Sequence, residues 1–192
     1  RVYVDRRVED EFITKFATSM EATKFGDPGV VRDLDMGPMI NRAAQKTTDD
    51  MVQRAIKEGA ELVSGGSVTD VDGKGFFYPP TVLRNCDQSS EIIQEEVFGP
   101  VMPINSFDSL DEAIDKANDS KYGLTSSIYT NDIGAAMRAC NELNFGETYI
   151  NREHFEAMQG FHAGVRQSGI GGADGKHGLY ENTETHVVYL QS

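Results

Sequence analysis

An alternation of strand and helix patterns in residues 101–151 constrains the fold more than any other feature of the sequence. VMPINSF (101–107), SSIYT (126–130) and TYIN (148–151) are rich in strand-forming residues, and apolar residues at helical spacing lie between them. Strands and helices that alternate with short joints are typical of right-handed crossovers in a parallel sheet. The sequence therefore predicts an α/β fold, a parallel twisted sheet with flanking helices.

Both helices of this region carry start signals. Ser109 and Glu112 form an S-x-x-E capping box, and Asn131 or Asp132 is placed to cap the second helix. The predicted apolar face of that second helix consists of Ile133, Ala136, Met137, Cys140 and Leu143. Because a free cysteine on such a face behaves as a small hydrophobe, Cys140 is predicted to be buried.

The first sixty residues predict one strand and two helices. RVYVD (1–5) predicts the strand, and the helix after it should stop near FGDPG (25–29). The predicted apolar stripe of this helix is Val8, Phe12, Ile13, Phe16, Ala17 and Met20. A second helix is predicted from about Arg42 to Glu58, with Gly59 as its C-terminal cap.

The remaining segments predict strands and loops. Glu61–Ser64 predicts a short strand, and the polar SVTDVDGKG (67–75) predicts a surface turn. FFYPPTVL (76–83) is extended, and its two prolines predict a sheet edge or a segment outside the sheet. Residues 152–178 are glycine-rich and loop-like, and HVVYLQ (186–191) predicts an exposed terminal strand that pairs with another chain.

Composition excludes several classes of function. The 192 residues carry a net charge of −13 and no basic run longer than Arg6-Arg7, which argues against nucleic acid and anionic membranes as partners. No apolar run approaches the ~20 residues that span a bilayer. Two cysteines and no signal peptide predict a cytoplasmic location. The chain opens without methionine in a strand pattern, which suggests that a preceding segment is missing.

Nucleophile and metal motifs are weak. Cys86 lies beside acidic residues that would raise its pKa, so a hydrolase that pairs Cys86 with a histidine is only the weakest alternative. SGIGG (168–172) does not connect a strand to a helix, as a dinucleotide-binding loop must. No metal site is predicted, because no ligand spacing joins His154, His162, His177 and His186.

Two segments have two interpretations each when residue types alone are considered. EEVFGP (95–100) is either a ligand-binding turn or a plain turn in which Phe98 is core and Glu95 and Glu96 are solvated. His162 either packs in its loop or points into a pocket.

Several motifs together resemble the aldehyde dehydrogenase superfamily, in the order found there and over essentially the whole chain. They are GDP (26–28), GPMI (37–40), GFFYPPTVL (75–83), EEVFGPV (95–101), ANDSKYGLTSSIYT (117–130) and FGETYIN (145–151). The tail from Asn151 onwards is most similar to the lactaldehyde and glycolaldehyde dehydrogenases of that superfamily.

This resemblance implies a division of the family fold. Residues 1–182 match the catalytic domain, and residues 183–192 match the strand through which subunits form a homo-oligomer. In this family a cysteine thiolate attacks the aldehyde and NAD accepts hydride, with NADP as the alternative. The nucleophile, the general base and the dinucleotide domain precede the strand that matches RVYVD. The resemblance therefore implies no catalytic residue here, no activity of this chain alone, and weak or absent NAD binding by it.

The resemblance also assigns binding residues. Glu96 matches the acid that hydrogen-bonds the nicotinamide ribose, and Phe98 matches the aromatic that packs against the nicotinamide. His162 occupies the position of an aromatic pocket wall, where its imidazole could donate to a substrate hydroxyl. Asn151 and Phe155 are further pocket candidates. These residues favour a small hydroxyaldehyde such as lactaldehyde or glycolaldehyde, oxidised to the acid. The alternative is a non-catalytic, self-associating scaffold.

Overall fold

A computed structural model describes residues 1–71 and 73–192 of the chain. These residues form two compact units, 1–113 and 114–192. Both units combine strands with helices, and this confirms the predicted α/β class.

The first unit is built on a four-stranded sheet. In chain order its elements are β1 (Val2–Asp5), α1 (Glu9–Glu21), α2 (Arg42–Lys57), β2 (Glu61–Ser64), β3 (Thr69–Val71), β4 (Lys74–Phe77), β5 (Thr81–Arg84), α3 (Glu91–Gln94) and β6 (Val101–Phe107), with α4 (Leu110–Asn118) crossing into the second unit. The strand order is β1-β6-β5-β2. β1, β6 and β5 run parallel, and β2 pairs antiparallel with β5, so the sheet is mixed.

Both faces of this sheet are covered by a hydrophobic core. Val82 and Leu83 are consecutive residues of β5, so their side chains point to opposite faces, and both are fully buried. Val82 packs in one cluster with Ile13 of α1, and Leu83 packs in the other with Val52 of α2. The two helices therefore lie on opposite faces of the sheet.

Two predictions for this unit were wrong in detail. β5 is an inner strand of the sheet, not an edge strand. Pro79 and Pro80 precede its first residue, so every residue of β5 keeps a backbone N–H that can pair with a neighbouring strand. The predicted surface turn contains a β-hairpin of β3 and β4. Asp72, which belongs to the predicted segment, lies outside the described residues.

α1 and α2 begin and end close to the predicted residues, whereas α3 was not predicted. The Asn41 side chain caps α2 by accepting a hydrogen bond from the Ala44 amide at 2.8 Å. The buried face of α1 is narrower than the predicted stripe: Ile13 and Ala17 are buried, while Val8 and Phe12 are exposed.

The second unit contains a parallel strand pair joined by a helix. Its elements are β7 (Tyr122–Gly123), β8 (Thr125–Ile128), α5 (Ile133–Glu142), β9 (Glu147–Ile150), β10 (His162–Ala163), β11 (Val165–Arg166), β12 (Gly172–Ala173) and α6 (Gly175–Glu181). β8 and β9 pair in parallel, which confirms the predicted crossover through α5. β6 and β8 belong to different sheets, so the predicted crossover through α4 was wrong. β10 pairs with β12 and β11 with β7, both antiparallel.

The predicted apolar face of α5 was wrong in part: Ala136 is buried as predicted, but Ile133, Met137 and Cys140 are exposed. The Asp132 carboxylate caps this helix by accepting from the Gly134 amide at 2.7 Å, as predicted. Its buried residues, however, are Ala136 and Ala139, so Cys140 lies on the exposed side. Alanines three residues apart form the buried face, and the larger Met137 is exposed.

The last ten residues, 183–192, have no regular secondary structure, so the predicted terminal strand is absent from the described chain. Four apolar side chains of this segment are exposed: Val187, Val188, Tyr189 and Leu190. The predicted boundary between residues 182 and 183 concerns subunit assembly and stays a prediction.

Candidate functional site

The turn that contains Glu96 and Phe98 lies between α3 and β6. Because β1, β6 and β5 are parallel and Val2 pairs with Ile104, the turn lies at the same end of the sheet as the start of the chain. The turn precedes β6, so this is the edge formed by the amino ends of the three parallel strands. The turn and the first residues of the chain therefore face a common edge.

Local packing fixes which side chains of the turn are exposed. Val97 packs against the core, and a Cβ on Gly99 would lie 2.6 Å from Oγ1 of the buried Thr48. Glu96 and Phe98, on either side of Val97, are exposed. The interpretation of Phe98 as a core residue is therefore wrong.

Phe98 is also in an unfavourable backbone conformation. Its φ is 51°, in the left-handed region that a side chain with a Cβ rarely adopts, and the residue is 80% exposed. Residues held in such conformations cluster at binding and catalytic sites. A carboxylate and an exposed aromatic ring on one turn suit a ligand with hydroxyls beside a flat ring.

In the second unit, His162 takes part in a three-residue hydrogen-bond network. Its Nδ1 lies 2.8 Å from Oε1 of Glu147, and the Tyr149 hydroxyl donates to Oε2 of the same carboxylate. Glu147 and Tyr149 are two residues apart on β9 and share one face of the strand. His162 is thus hydrogen-bonded by a neighbouring strand and not merely packed in its loop.

The network shifts the pKa of all three groups. The hydrogen bond to Glu147 raises the pKa of His162, against partial desolvation that lowers it. Desolvation acts to raise the pKa of Glu147, but the hydrogen bonds from Tyr149 and His162 outweigh it, and the net shift is downward. The same carboxylate raises the pKa of Tyr149 to about 12. Glu147 is therefore an anion that two donors hold in place.

Asn151 and Phe155 follow β9. The Asn151 side chain bridges to Thr130: its Oδ1 accepts from the Thr130 amide, and its Nδ2 donates to the Thr130 carbonyl, both at 2.8 Å. Phe155 is 68% exposed. Asn151 therefore joins the ends of β8 and β9, and a pocket-lining role for either residue stays a prediction.

Sequence reasoning missed His154 in this unit, together with Glu147 and Tyr149. The Nδ1 and Nε2 atoms of His154 lie 2.7 and 3.0 Å from the hydroxyls of Thr125 and Ser127 on β8. Its ring stacks on Tyr149, with centroids 5.2 Å apart. The polar residues at alternate positions of FGETYIN were the available signal, since one face of a buried strand should be apolar.

Cys86 is not an activated nucleophile on the described geometry. Cys86 is buried, and burial raises the pKa of its thiol to about 11; the predicted cause, its acidic neighbours, is not the one that acts. Its amide and carbonyl are both bonded to the buried Asn105 side chain. The hydrolase alternative therefore loses its nucleophile.

The described residues contain neither a metal cluster nor a membrane-spanning helix. Within residues 1–71 and 73–192, no group of three or more His, Cys, Asp or Glu side chains is arranged to hold a metal ion. In the same part of the chain, no helix is long and apolar enough to cross a membrane.

Comparison with known proteins decides the family. The family model described as the aldehyde dehydrogenase family matches residues 1–188. The chain belongs to the aldehyde dehydrogenase family. Among its curated relatives, lactaldehyde dehydrogenase of Escherichia coli is 56% identical over 192 residues, which are 100% of this chain and 40% of that protein. Rat aldehyde dehydrogenase 1A1 is 34% identical, over 100% of this chain and 38% of that protein.

Solved structures of the aldehyde dehydrogenase family agree with the fold described above. The crystal structure of E. coli lactaldehyde dehydrogenase gives a TM-score of 0.94 at 56% identity, covering 100% of this chain and 40% of that chain. Betaine aldehyde dehydrogenase from Staphylococcus aureus, in complex with NAD+, gives 0.88 at 37% identity, covering 100% and 40%. The chain thus spans about two fifths of the length of these relatives, and the predicted resemblance is confirmed.

Proposed function

We propose that this chain is part of an NAD-dependent aldehyde dehydrogenase that oxidises a small hydroxyaldehyde, such as lactaldehyde or glycolaldehyde, to the carboxylic acid. The observation that carries the proposal is the 56% identity to lactaldehyde dehydrogenase over the entire chain. NAD, or NADP in its place, supplies the hydride acceptor when it is bound. The chain contributes binding contacts, and the reactive thiolate and the general base come from outside it.

The turn between α3 and β6 supplies the proposed cofactor contacts. The Glu96 carboxylate accepts hydrogen bonds from the two ribose hydroxyls, since an ionised carboxylate has acceptor sites for both. The Phe98 ring packs against the nicotinamide without competing for its polar groups. The exposure of both side chains supports this role, because each is accessible to a ligand.

His162 supplies the proposed substrate contact. An imidazole beside the substrate hydrogen-bonds a hydroxyl group, which an aromatic hydrocarbon ring cannot do. Asn151 and Phe155 line the same proposed pocket in the second unit. The expected substrates are therefore short aldehydes with a hydroxyl next to the reacting carbon.

The proposal is tested in a joined protein, which is this chain preceded by the part of E. coli lactaldehyde dehydrogenase upstream of the matched region. We expect NADH formation with lactaldehyde, and a higher kcat/KM for lactaldehyde than for propanal, which lacks the hydroxyl. His162→Phe should lower that ratio about 2- to 13-fold, the cost of one hydrogen bond. An unchanged ratio would remove His162 from the substrate site, and a folded but inactive joined protein would contradict the assignment.

The C-terminal segment, residues 183–192, is the proposed oligomerisation strand. Its exposed apolar side chains support the proposal, since an apolar segment without internal partners can pair as a strand with a second copy. The same feature favours the second candidate function, a self-associating scaffold without catalysis. A cytoplasmic location stays a prediction.

A further inference from the structure

The side chain of His162 is held from one side only. In the described part of the chain, its Nδ1 faces Glu147 at 2.8 Å, and no hydrogen bond joins its Nε2 to another residue. The Glu147 side chain is 13% exposed and that of His162 is 29% exposed. The carboxylate is therefore mostly enclosed, while the ring remains accessible to a small molecule.

The chemistry of this contact determines where the ring proton lies. Ionised Glu147 only accepts hydrogen bonds, so Nδ1 must carry the proton that joins the two groups. The neutral ring then has a lone pair at Nε2, and the protonated ring has an N–H there. In both states Nε2 is the nitrogen available to a ligand.

Tyr149 holds the carboxylate from the opposite side. Its hydroxyl donates to Oε2 while Oε1 receives His162, so each carboxylate oxygen has its own donor. Tyr149 is itself stacked on His154, whose two ring nitrogens are bound to hydroxyls of β8. Glu147 is thus fixed by β9 and its neighbours before any ligand arrives.

We propose that Glu147, held by Tyr149, is a positioning residue that fixes the orientation and the Nδ1–H tautomer of His162 and so directs Nε2 to the hydroxyl of the aldehyde substrate. This inference rests on the proposed function of His162. A hydroxyl group both donates and accepts, so it pairs with Nε2 whether the ring is neutral or protonated. An aldehyde without a hydroxyl gains nothing from this arrangement, and the positioning therefore acts on specificity.

The charged groups around the His162 ring determine the direction in which its pKa shifts. Glu147, Glu156 and Asp174 all favour the protonated ring, with Glu147 as the direct hydrogen-bond partner. His154 also acts to lower the pKa of Glu147. Glu156 acts to raise the pKa of Tyr149, and Arg152 acts to lower it. Removing Glu147 should consequently change the titration of His162 much more than removing Glu156 does.

The first experiment tests the contact in the chain itself, by ¹⁵N NMR of the histidine rings across a pH series. We expect His162 to titrate above the usual value of about 6.5. Glu147→Gln removes the charge but keeps an acceptor, so it should lower the pKa and retain the Nδ1–H tautomer. Glu147→Ala should lower the pKa and lose the tautomer preference. Glu156→Gln is the matched control, with a smaller shift. A His162 pKa and tautomer unaffected by Glu147→Ala would overturn the proposal.

The second experiment tests specificity in the joined protein, with the lactaldehyde-to-propanal ratio of kcat/KM as the readout. Glu147→Ala should lower the ratio by about two- to tenfold, as expected for one weakened hydrogen bond, and Glu147→Gln should restore most of it. If His162→Phe lowers the ratio and Glu147→Ala does not, the positioning role is wrong and the proposed function survives. If neither variant changes the ratio, the proposed substrate contact of His162 is wrong. Tyr149→Phe provides a milder variant should Glu147→Ala not fold.

Discussion

At the scale of single residues, conformation carries information that residue type does not. Phe98 could be read from the sequence either as core or as a ligand contact, since a turn of acids, aromatic, glycine and proline fits both. Its left-handed backbone and its exposure decide against the core. The residue type of His162 is likewise compatible with loop packing and with a pocket, and the structure adds its hydrogen bond to Glu147. No local sequence pattern reports a contact between residues fifteen positions apart.

The Glu96 carboxylate provides a test of the cofactor contact. In the joined protein, Glu96→Ala should raise the KM for NAD, because hydrogen bonds to a charged group are worth about 1.5–3 kcal/mol, or roughly tenfold and upward. Glu95→Ala is the matched control, since it removes an adjacent acid that the proposal does not assign to the cofactor. Equal effects of the two substitutions on the KM for NAD would argue that Glu96 acts only through general charge.

The two cysteines should differ sharply in reactivity. At pH 8 a thiol with a pKa of about 11 is ionised in only about one molecule in a thousand, and Cys86 is also buried. We expect an aromatic disulfide reagent to label one thiol rapidly, the exposed Cys140, and the other only after denaturation. Rapid labelling of both in the native chain, identified by peptide mass spectrometry, is the contrary result.

At the scale of elements, caps and bounds were predictable and buried faces were less so. Asp132 and the range of α2 follow from capping chemistry and hydrophobic spacing, which are local. The buried face of α5 depends on what packs there, and two alanines leave the larger Met137 and Cys140 outside. The place of β5 inside its sheet depends on β2 and β6, which no pattern within its own segment reveals.

The core of the first unit gives a stability prediction. Leu83 of β5 is fully buried, and Leu62, its partner on β2, is 45% exposed. Leu83→Ala should lower the free energy of unfolding by about 2–5 kcal/mol, while Leu62→Ala should cost much less. Urea denaturation of the two variants makes the comparison. Equal losses would place Leu83 outside the core.

At the scale of the whole molecule, the net charge constrains the chemistry of the partners. A net charge of −13 disfavours polyanionic partners. The chain spans about two fifths of the length of the curated relatives it matches. Family membership was predictable from the order of the motifs, whereas the substrate stays a proposal, because the chain spans only that part of these relatives.

The terminal segment can be tested for assembly by light scattering after size-exclusion chromatography. Because its four apolar side chains are exposed, we expect the chain to self-associate and the deletion of residues 184–192 to lower its mass to that of a monomer. A monomer at every concentration, with or without the deletion, would count against assembly through this segment.

We propose that this chain supplies binding contacts, whereas the reacting thiolate, the general base and the dinucleotide domain of the enzyme lie outside it. The most direct measurement is a steady-state NADH-formation assay on the purified chain alone, with NAD and either glycolaldehyde or lactaldehyde. We expect no turnover above a buffer blank, and we expect the joined protein to be active in the same assay. Turnover that copurifies with the chain and is lost in Cys86→Ser or Cys140→Ser would contradict it.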